Sequence, residues 1–380
     1  MANTITDALA INKFKDAATR LCASSPCADL TRIVTMIRNV LLVEFGTQLQ
    51  SEVYCCVIII SSPPISYMLD RRTLLKASGA AALTSFIPSS FIKAATPAAK
   101  PPFRFCLNTS TISGQKPGLI GYIDIASKAG YDGVELWIND IQEYLSTGKS
   151  VQSLADYIKS KNLAVEDIIS FTTWMVNDEA KRRKGIADLE EQMKIASALG
   201  SKYIAAPPMG VEKSEPINIQ QAATYYRTIL QLGRKYNVMP LLEFWGASGI
   251  LYNFSQAISI AAAADDVEAR ILPDVYHMFR GGSGFNCLNL VNGKIIPVIH
   301  MNDYPANKPV NEQTDSDRVY PGDGAAPLKE ILRSLKAIGG TKVLSLELFN
   351  EAYWKEDALS VAVTGLKKMQ RLVDEALATK

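Results

Sequence analysis

Four residues that bind cations well stand at the ends of short apolar runs in the last third of the chain: Glu243 in PLLEFW, Asp274 in RILPDVYH, His300 in IPVIHMND and Glu347 in VLSLELF. Each run has the length and the apolar, branched character of a buried strand. A charge at its carboxyl end is costly to bury unless it is paired or bound to a cation. Three carboxylates and one neutral imidazole make a hard, oxygen-rich donor set. Such a set suits one divalent cation, Mn²⁺ or Mg²⁺ first, with Zn²⁺ and Co²⁺ also compatible. The chain has only two histidines, His277 and His300, and both fall within these run ends. A lone histidine is usually a core or surface residue, but chance would here have to place all four residues at strand ends together.

Bringing four such side chains to one centre requires strands that run side by side in one direction. The first two steps, Glu243 to Asp274 and Asp274 to His300, are each close to one strand-plus-helix unit, and the third leaves room for an inserted loop. The same alternation holds upstream. FRFCLNTST, GVELW, VEDIISFTT and KYIAAPP read as strands, and GLIGYIDIASKAG, SVQSLADYIKSKN, KRRKGIADLEEQMKIASALG and IQQAATYYRTILQLGRKYN as the helices that follow them. Later helices are expected at FSQAISIAAAA, FNCLNLVNG, APLKEILRSLKAIGG and DALSVAVTGLKKMQRLVDEAL. Eight strand-then-helix units predict an α/β chain folded as a (β/α)₈ TIM barrel, a single catalytic domain over residues 103–375. In that fold the carboxyl ends of the strands carry the chemistry, and the four candidate ligands all obey the rule.

Composition narrows the partners. A net charge of +2 over 380 residues gives no footprint for nucleic acid or an acidic membrane surface, and 48% hydrophobic residues support a large core. Of six cysteines, Cys22, Cys27, Cys55 and Cys56 precede residue 68, leaving only Cys106 and Cys287 in the remainder. These two read as buried small hydrophobes rather than a disulfide framework or a CxxC metal site. The GGSG at residues 281–284 is a loop; no glycine spacing of the phosphate-cradling kind is present, so a phosphorylated substrate is unsupported.

Residues 1–67 differ from the rest, with apolar bursts such as VLLVEF and CCVIII that are too short to span a bilayer. After Met68 comes LDRRTLLKASGAAALTSFIPSSFIKAATPAAKPP, which resembles a twin-arginine export signal: Arg71-Arg72 followed by Leu74, Leu75 and Lys76, then a mildly apolar stretch and a small-residue region. Residues 68–100 are therefore expected to be a signal segment that sends the protein to the periplasm without stable membrane insertion of the mature chain. Residues 1–67 are expected to be an over-extended gene start outside the fold.

The motifs AGYDGVEL, EFW, DVYH, HMND, RVYPGDG and LEL, spread over residues 103–375, resemble the sugar phosphate isomerase/epimerase superfamily with the xylose isomerase-like barrel. The resemblance implies that Glu243, Asp274, His300 and Glu347 hold one divalent cation, that His277 contacts substrate beside it, and that Arg318 grips a substrate hydroxyl, carboxylate or phosphate. It also implies that Glu243 and Glu347 are catalytic: one takes a proton from the carbon beside a carbonyl and the other returns one, through an enediolate. The glutamate that ketose epimerases carry shortly after the first metal glutamate, and the arginine they carry after the metal histidine, are replaced here by FWGASGI and NDYPANK. The expected activity is isomerisation or epimerisation of an unphosphorylated sugar or keto-sugar; the alternative is a metal-dependent lyase, dehydratase or hydratase acting on a keto-sugar or keto-inositol. Relatives that cut DNA with a three-metal cluster need more than two histidines. Among the tryptophans 137, 174, 245 and 354, all near strand ends, at least one, Trp245 first, is expected to stack on a sugar ring. Glu135 in GVELW either binds a sugar hydroxyl or forms an interior salt bridge. A homo-oligomer stays open.

Overall fold

The strands of this protein are short and buried on both faces, as a parallel sheet covered by helices requires. They are β1 (Phe103–Asn108), β2 (Gly133–Trp137), β3 (Ala164–Ile169), β4 (Tyr203–Ala206), β5 (Met239–Glu243), β6 (Arg270–Leu272), β7 (Val298–Met301) and β8 (Lys342–Leu346). Our computed structural model describes residues 101–214 and 217–378; the expectations for residues 1–67 and 68–100 lie outside the described residues. All ladders are parallel, in the orders β3-β2-β1-β8-β7 and β4-β5-β6. The two arcs meet where a parallel bridge pairs Asp274 with His300, the His300 N–H donating to Pro273 O at 2.9 Å. On the other side β3 lies against β4. The result is the (β/α)₈ TIM barrel expected from the strand-helix alternation.

Helices α1 (Gly118–Ala129), α2 (Ile138–Ser146), α3 (Val151–Ser160), α4 (Glu179–Ala198), α5 (Ile219–Tyr236), α6 (Phe254–Ala263), α7 (Val275–Arg280), α8 (Leu328–Ala337) and α9 (Ala358–Leu377) cover the sheet. Several start on a side chain that accepts an orphan backbone N–H: Ser150 from Ser153, Asp178 from Lys181, Asn218 from Gln221, Asn253 from Gln256 and Asp357 from Ser360. Each turns an apolar face inward, as α5 does with Ala222, Tyr226, Ile229 and Leu230.

Three local expectations change. The first strand ends at Asn108 because that side chain accepts from Ser110 N and caps a 3₁₀ segment, Thr109–Gln115. FNCLNLVNG is a 3₁₀ segment over Phe285–Leu290, and the α-helix of that unit is instead α7, which begins directly after Asp274. Helix α2, directly after β2, was not anticipated.

Side chains alternate across a strand, so every second residue faces the barrel interior. One interior layer is apolar: Cys106, Ile169, Ala205, Leu241, Leu272, Val298 and Val343. Two residues further along the same strands stand Asn108, Glu243, Asp274, His300 and Ser345, all buried. A hydrophobic floor thus closes the barrel beneath a polar layer at its carboxyl end. Cys106 and Cys287 are both free thiols. Among the described residues no helix is long and apolar enough to cross a membrane.

Candidate metal centre

Glu243 ends β5, Asp274 follows β6, His300 lies in β7 and Glu347 follows β8, so four consecutive strands deliver four side chains to one end of the barrel. Asp274, His300 and Glu347 each offer a ligand atom, and these atoms lie within 4.8 Å of one another. His300 Nδ1 stands 3.0 Å from Glu347 Oε2 and 3.4 Å from Asp274 Oδ2, and no hydrogen bond of good geometry uses it. Glu243 stands outside that trio, unlike the four-ligand expectation. Its Oε1 accepts from Trp245 Nε1 at 3.0 Å, while its buried Oε2 meets no donor. Two buried atoms without a hydrogen-bond partner, beside two further carboxylates, form a set that fits a divalent cation, which would satisfy groups the protein leaves bare.

Burial pushes Glu243 up to about 8, helped by the nearby Glu347 and Asp274 charges and opposed by His300. Burial works against the charged form of His300, yet Glu135 and Glu347 outweigh it and hold the imidazole well above its usual range. Asp274 is also penalised by burial but lies well below the carboxylate range, because the Arg318 guanidinium is adjacent.

Asp274 has two tasks. Its Oδ1 accepts from His277 N at 2.8 Å and caps α7, which explains the three-residue spacing between them. Its Oδ2 receives Asn302 Nδ2 at 3.0 Å and Arg318 Nη1 at 2.9 Å. Arg318, expected to grip substrate, is itself buried and engaged by the protein. Its Nη1 also donates to Glu347 Oε2 at 2.7 Å, and Nη2 donates to Asp315 Oδ1 at 2.9 Å and lies 3.2 Å from His277 Nε2; only Nε is without a partner. The guanidinium therefore neutralises the two carboxylates beside His300 Nδ1. The RVYPGDG loop carries it there. Asp303 accepts from the N–H groups of Gly322, Gly324 and Ala326 and exchanges backbone hydrogen bonds with Val319, tying the loop to the end of β7. A Cβ at Gly324 would collide with Asp303 and Tyr304, so the loop closes this tightly only with glycine.

His277 is nine-tenths buried, and burial lowers its pKa to about 4, so it is a neutral imidazole. Its Nδ1 accepts from Gly246 N at 3.3 Å. A Cβ at Gly246 would meet Gly281 N and His277 O, so the loop after β5 reaches His277 only as glycine.

The tryptophans divide. Trp137, Phe171, Trp245 and Phe349 form a chain of ring contacts, with centroids 5.0 Å apart for Trp137 and Phe171, 6.4 Å for Phe171 and Trp245, and 6.0 Å for Trp137 and Phe349. Trp245 is joined to Glu243, and Trp137 Nε1 donates to Asn108 Oδ1 at 2.9 Å, so this aromatic group borders the carboxylates. Trp174 is fully buried with its N–H on Pro207 O, a core residue rather than a stacking surface. Trp354 donates to Ser110 O and lies over Gly114. Glu135 is fully buried, its oxygens taken by His300, Asn108 and Ser345, which leaves it no face toward a substrate. Asn108 and Asp167 escaped the sequence reading. Asn108 sat inside an apparent strand, whereas the adjacent acids of VEDII were a legible signal: Glu166 pairs with Arg104, leaving Asp167 buried on the other face.

Known proteins share this frame. Residues 123–371 match the family model described as xylose isomerase-like TIM barrel. An inosose isomerase of Bacillus velezensis is 30% identical over 280 residues, covering 72% of this chain and 98% of the relative, and one of Bacillus subtilis is 31% identical over 268 residues, covering 68% and 95%. The crystal structure of the IolI protein with a bound zinc atom superposes with a TM-score of 0.66 at 26% identity, over 73% of this chain and all of that one. The chain belongs to the xylose isomerase-like TIM barrel family and is an enzyme of the isomerase kind.

Proposed function

We propose that this enzyme moves a proton beside the carbonyl of an unphosphorylated keto-sugar or inosose, isomerising or epimerising it. The observation that carries the reading is the order of the polar layer. Glu243 and Glu347 stand at the two ends of a four-strand arc, with Asp274 and His300 between them. Asp274, His300 and Glu347, with Glu243 beside them, are the residues that would hold a divalent cation, Mn²⁺, Mg²⁺, Zn²⁺ or Co²⁺. Such an ion supplies Lewis acidity at the substrate carbonyl.

The remaining work belongs to side chains. Glu243, whose Oε2 has no protein partner, takes the proton on one side of the substrate, and Glu347 returns one on the other. His277, neutral and beside Arg318, faces the developing oxygen charge. Trp137 and Trp245 exclude water and lie against the apolar face of a ring. The inosose isomerase relatives support a cyclic keto-polyol within this class.

The test is incubation of metal-loaded enzyme with a panel of keto-sugars and inososes in D₂O, followed by NMR. One deuterium beside the carbonyl together with a new isomer supports the reading. Loss of water with a new conjugated ketone moves the assignment to the lyase class, and absence of exchange with every compound overturns it.

For location we propose twin-arginine export, on Arg71-Arg72 and the small apolar segment after them. Replacing both arginines with lysine should retain the protein in the cytoplasm; unchanged export contradicts the proposal.

A further inference from the structure

His300 is held from behind as well as used in front. Its Nε2 lies 3.0 Å from Glu135 Oε1, on the side away from Asp274 and Glu347. A carboxylate only accepts, so the imidazole must carry a proton on Nε2 to make this bond, which leaves Nδ1 for the site. Glu135 is fixed in turn. Its Oε2 accepts from Ser345 Oγ at 2.6 Å and Asn108 Nδ2 at 2.8 Å.

The Asn108 amide has one orientation only. Its Oδ1 accepts from Ser110 N at 3.0 Å and from Trp137 Nε1 at 2.9 Å, while Nδ2 also reaches Glu347 Oε1 at 3.1 Å. One amide thus spans the ring at the border of the site, the carboxylate behind His300 and the carboxylate in front of it. Asp167 is the register partner of Glu135 on β3, fully buried, with no donor for either oxygen. Burial and the Glu135 charge hold it well above the usual carboxylate range.

We propose that Glu135 is a positioning residue that holds the Nε2 proton of His300 and turns Nδ1 into the site, with Asn108 keeping Glu135 and Glu347 at a set spacing. The inference rests on the metal reading above. An anionic partner behind a ligating imidazole fixes its tautomer and raises its basicity, and its loss typically weakens metal binding by about 10- to 100-fold. Gln at 135 keeps a carbonyl for His300, but it loses the charge and sets its NH₂ against Asn108 Nδ2.

The experiment uses ¹⁵N NMR of the histidines and competition titration with a chelator, on the full chain loaded with Zn²⁺. With only two histidines in the chain the spectra assign readily. The wild type should show His300 protonated at Nε2 with zinc on Nδ1. Glu135→Gln should fold, keep that tautomer and bind zinc about 10- to 100-fold more weakly. Glu135→Leu should lose the downfield shift of the Nε2 proton. Turnover should fall in kcat with KM little changed, in step with zinc occupancy. Zinc affinity unchanged in Glu135→Gln, or a wild-type His300 protonated at Nδ1, overturns the proposal. A wild type that binds no zinc or other divalent ion overturns the metal reading itself, and this inference with it.

Discussion

The two interior layers of the barrel lie two residues apart along the same strands and face opposite demands. Leu241, Leu272, Val298 and Val343 form the floor, each able to contribute about 1.5–3 kcal/mol by leaving water. Glu243, Asp274, His300 and Ser345, one step further along, contribute burial of the opposite sign. The floor needs only volume and apolarity. The upper layer needs partners for every atom, and where the protein supplies none, at Glu243 Oε2 and His300 Nδ1, a ligand is called for. Stability is thus concentrated in one layer and chemistry in the next, and substitutions should separate them.

The largest separation is expected at His300. His300→Gln should lose metal and turnover together, activity falling on the order of 10³-fold, with the fold retained. Metal analysis by mass spectrometry alongside circular dichroism checks this; full metal content in the variant would contradict it. In the floor, Leu241→Ala should do the reverse, costing about 2–5 kcal/mol of stability while the folded fraction still binds metal with wild-type stoichiometry. Denaturant titration and metal analysis decide it, and a normal midpoint would remove the floor from its role. His277→Gln should keep near-full metal and lose turnover by about 10²-fold, since its imidazole meets Arg318 and Gly246 rather than the acceptor trio. Metal loss equal to that of His300→Gln would make His277 a ligand.

The smallest effect is expected beneath the floor. Lys342 begins β8, buried, and donates to the carbonyls of Gly293 at 2.5 Å and Gly339 at 2.6 Å. Burial lowers its pKa from 10.5 to about 8. Between those values the unfolded chain keeps a proton the folded chain has released, so this group makes stability rise with pH across that window. The melting temperature of the wild type relative to Lys342→Met should increase from about pH 8 to pH 10.5. A flat difference would show that the amine stays charged.

Both layers were partly legible in the sequence, for a physical reason. A charge that ends an apolar run, as in PLLE, ILPD, VIH and LSLE, is anomalous against its surroundings, and alternation puts it in line with the apolar residue two before it. What stayed illegible were residues whose roles depend on another strand. Glu135 in GVELW looks the same whether it meets a sugar or His300, and only the strand order β2-β1-β8-β7 decides. Asn108 is one polar residue inside an apparent strand until Trp137, Glu135 and Glu347 are seen around it. Trp174 stands near a strand end like Trp245, yet its loop folds it into the core. Helix α7, which follows Asp274, carries no sequence signal because six residues leave little periodicity to detect.

The most direct test of the central claim, that the upper layer is a metal centre, is X-ray absorption spectroscopy of the zinc-loaded protein. The account predicts a first shell of oxygen donors with one imidazole nitrogen at about 2.0–2.2 Å and no sulfur. Two imidazoles would bring His277 into the coordination sphere, and sulfur or an all-water shell would place the ion elsewhere; either result would contradict the assignment of Asp274, His300 and Glu347, with Glu243 beside them, as the site.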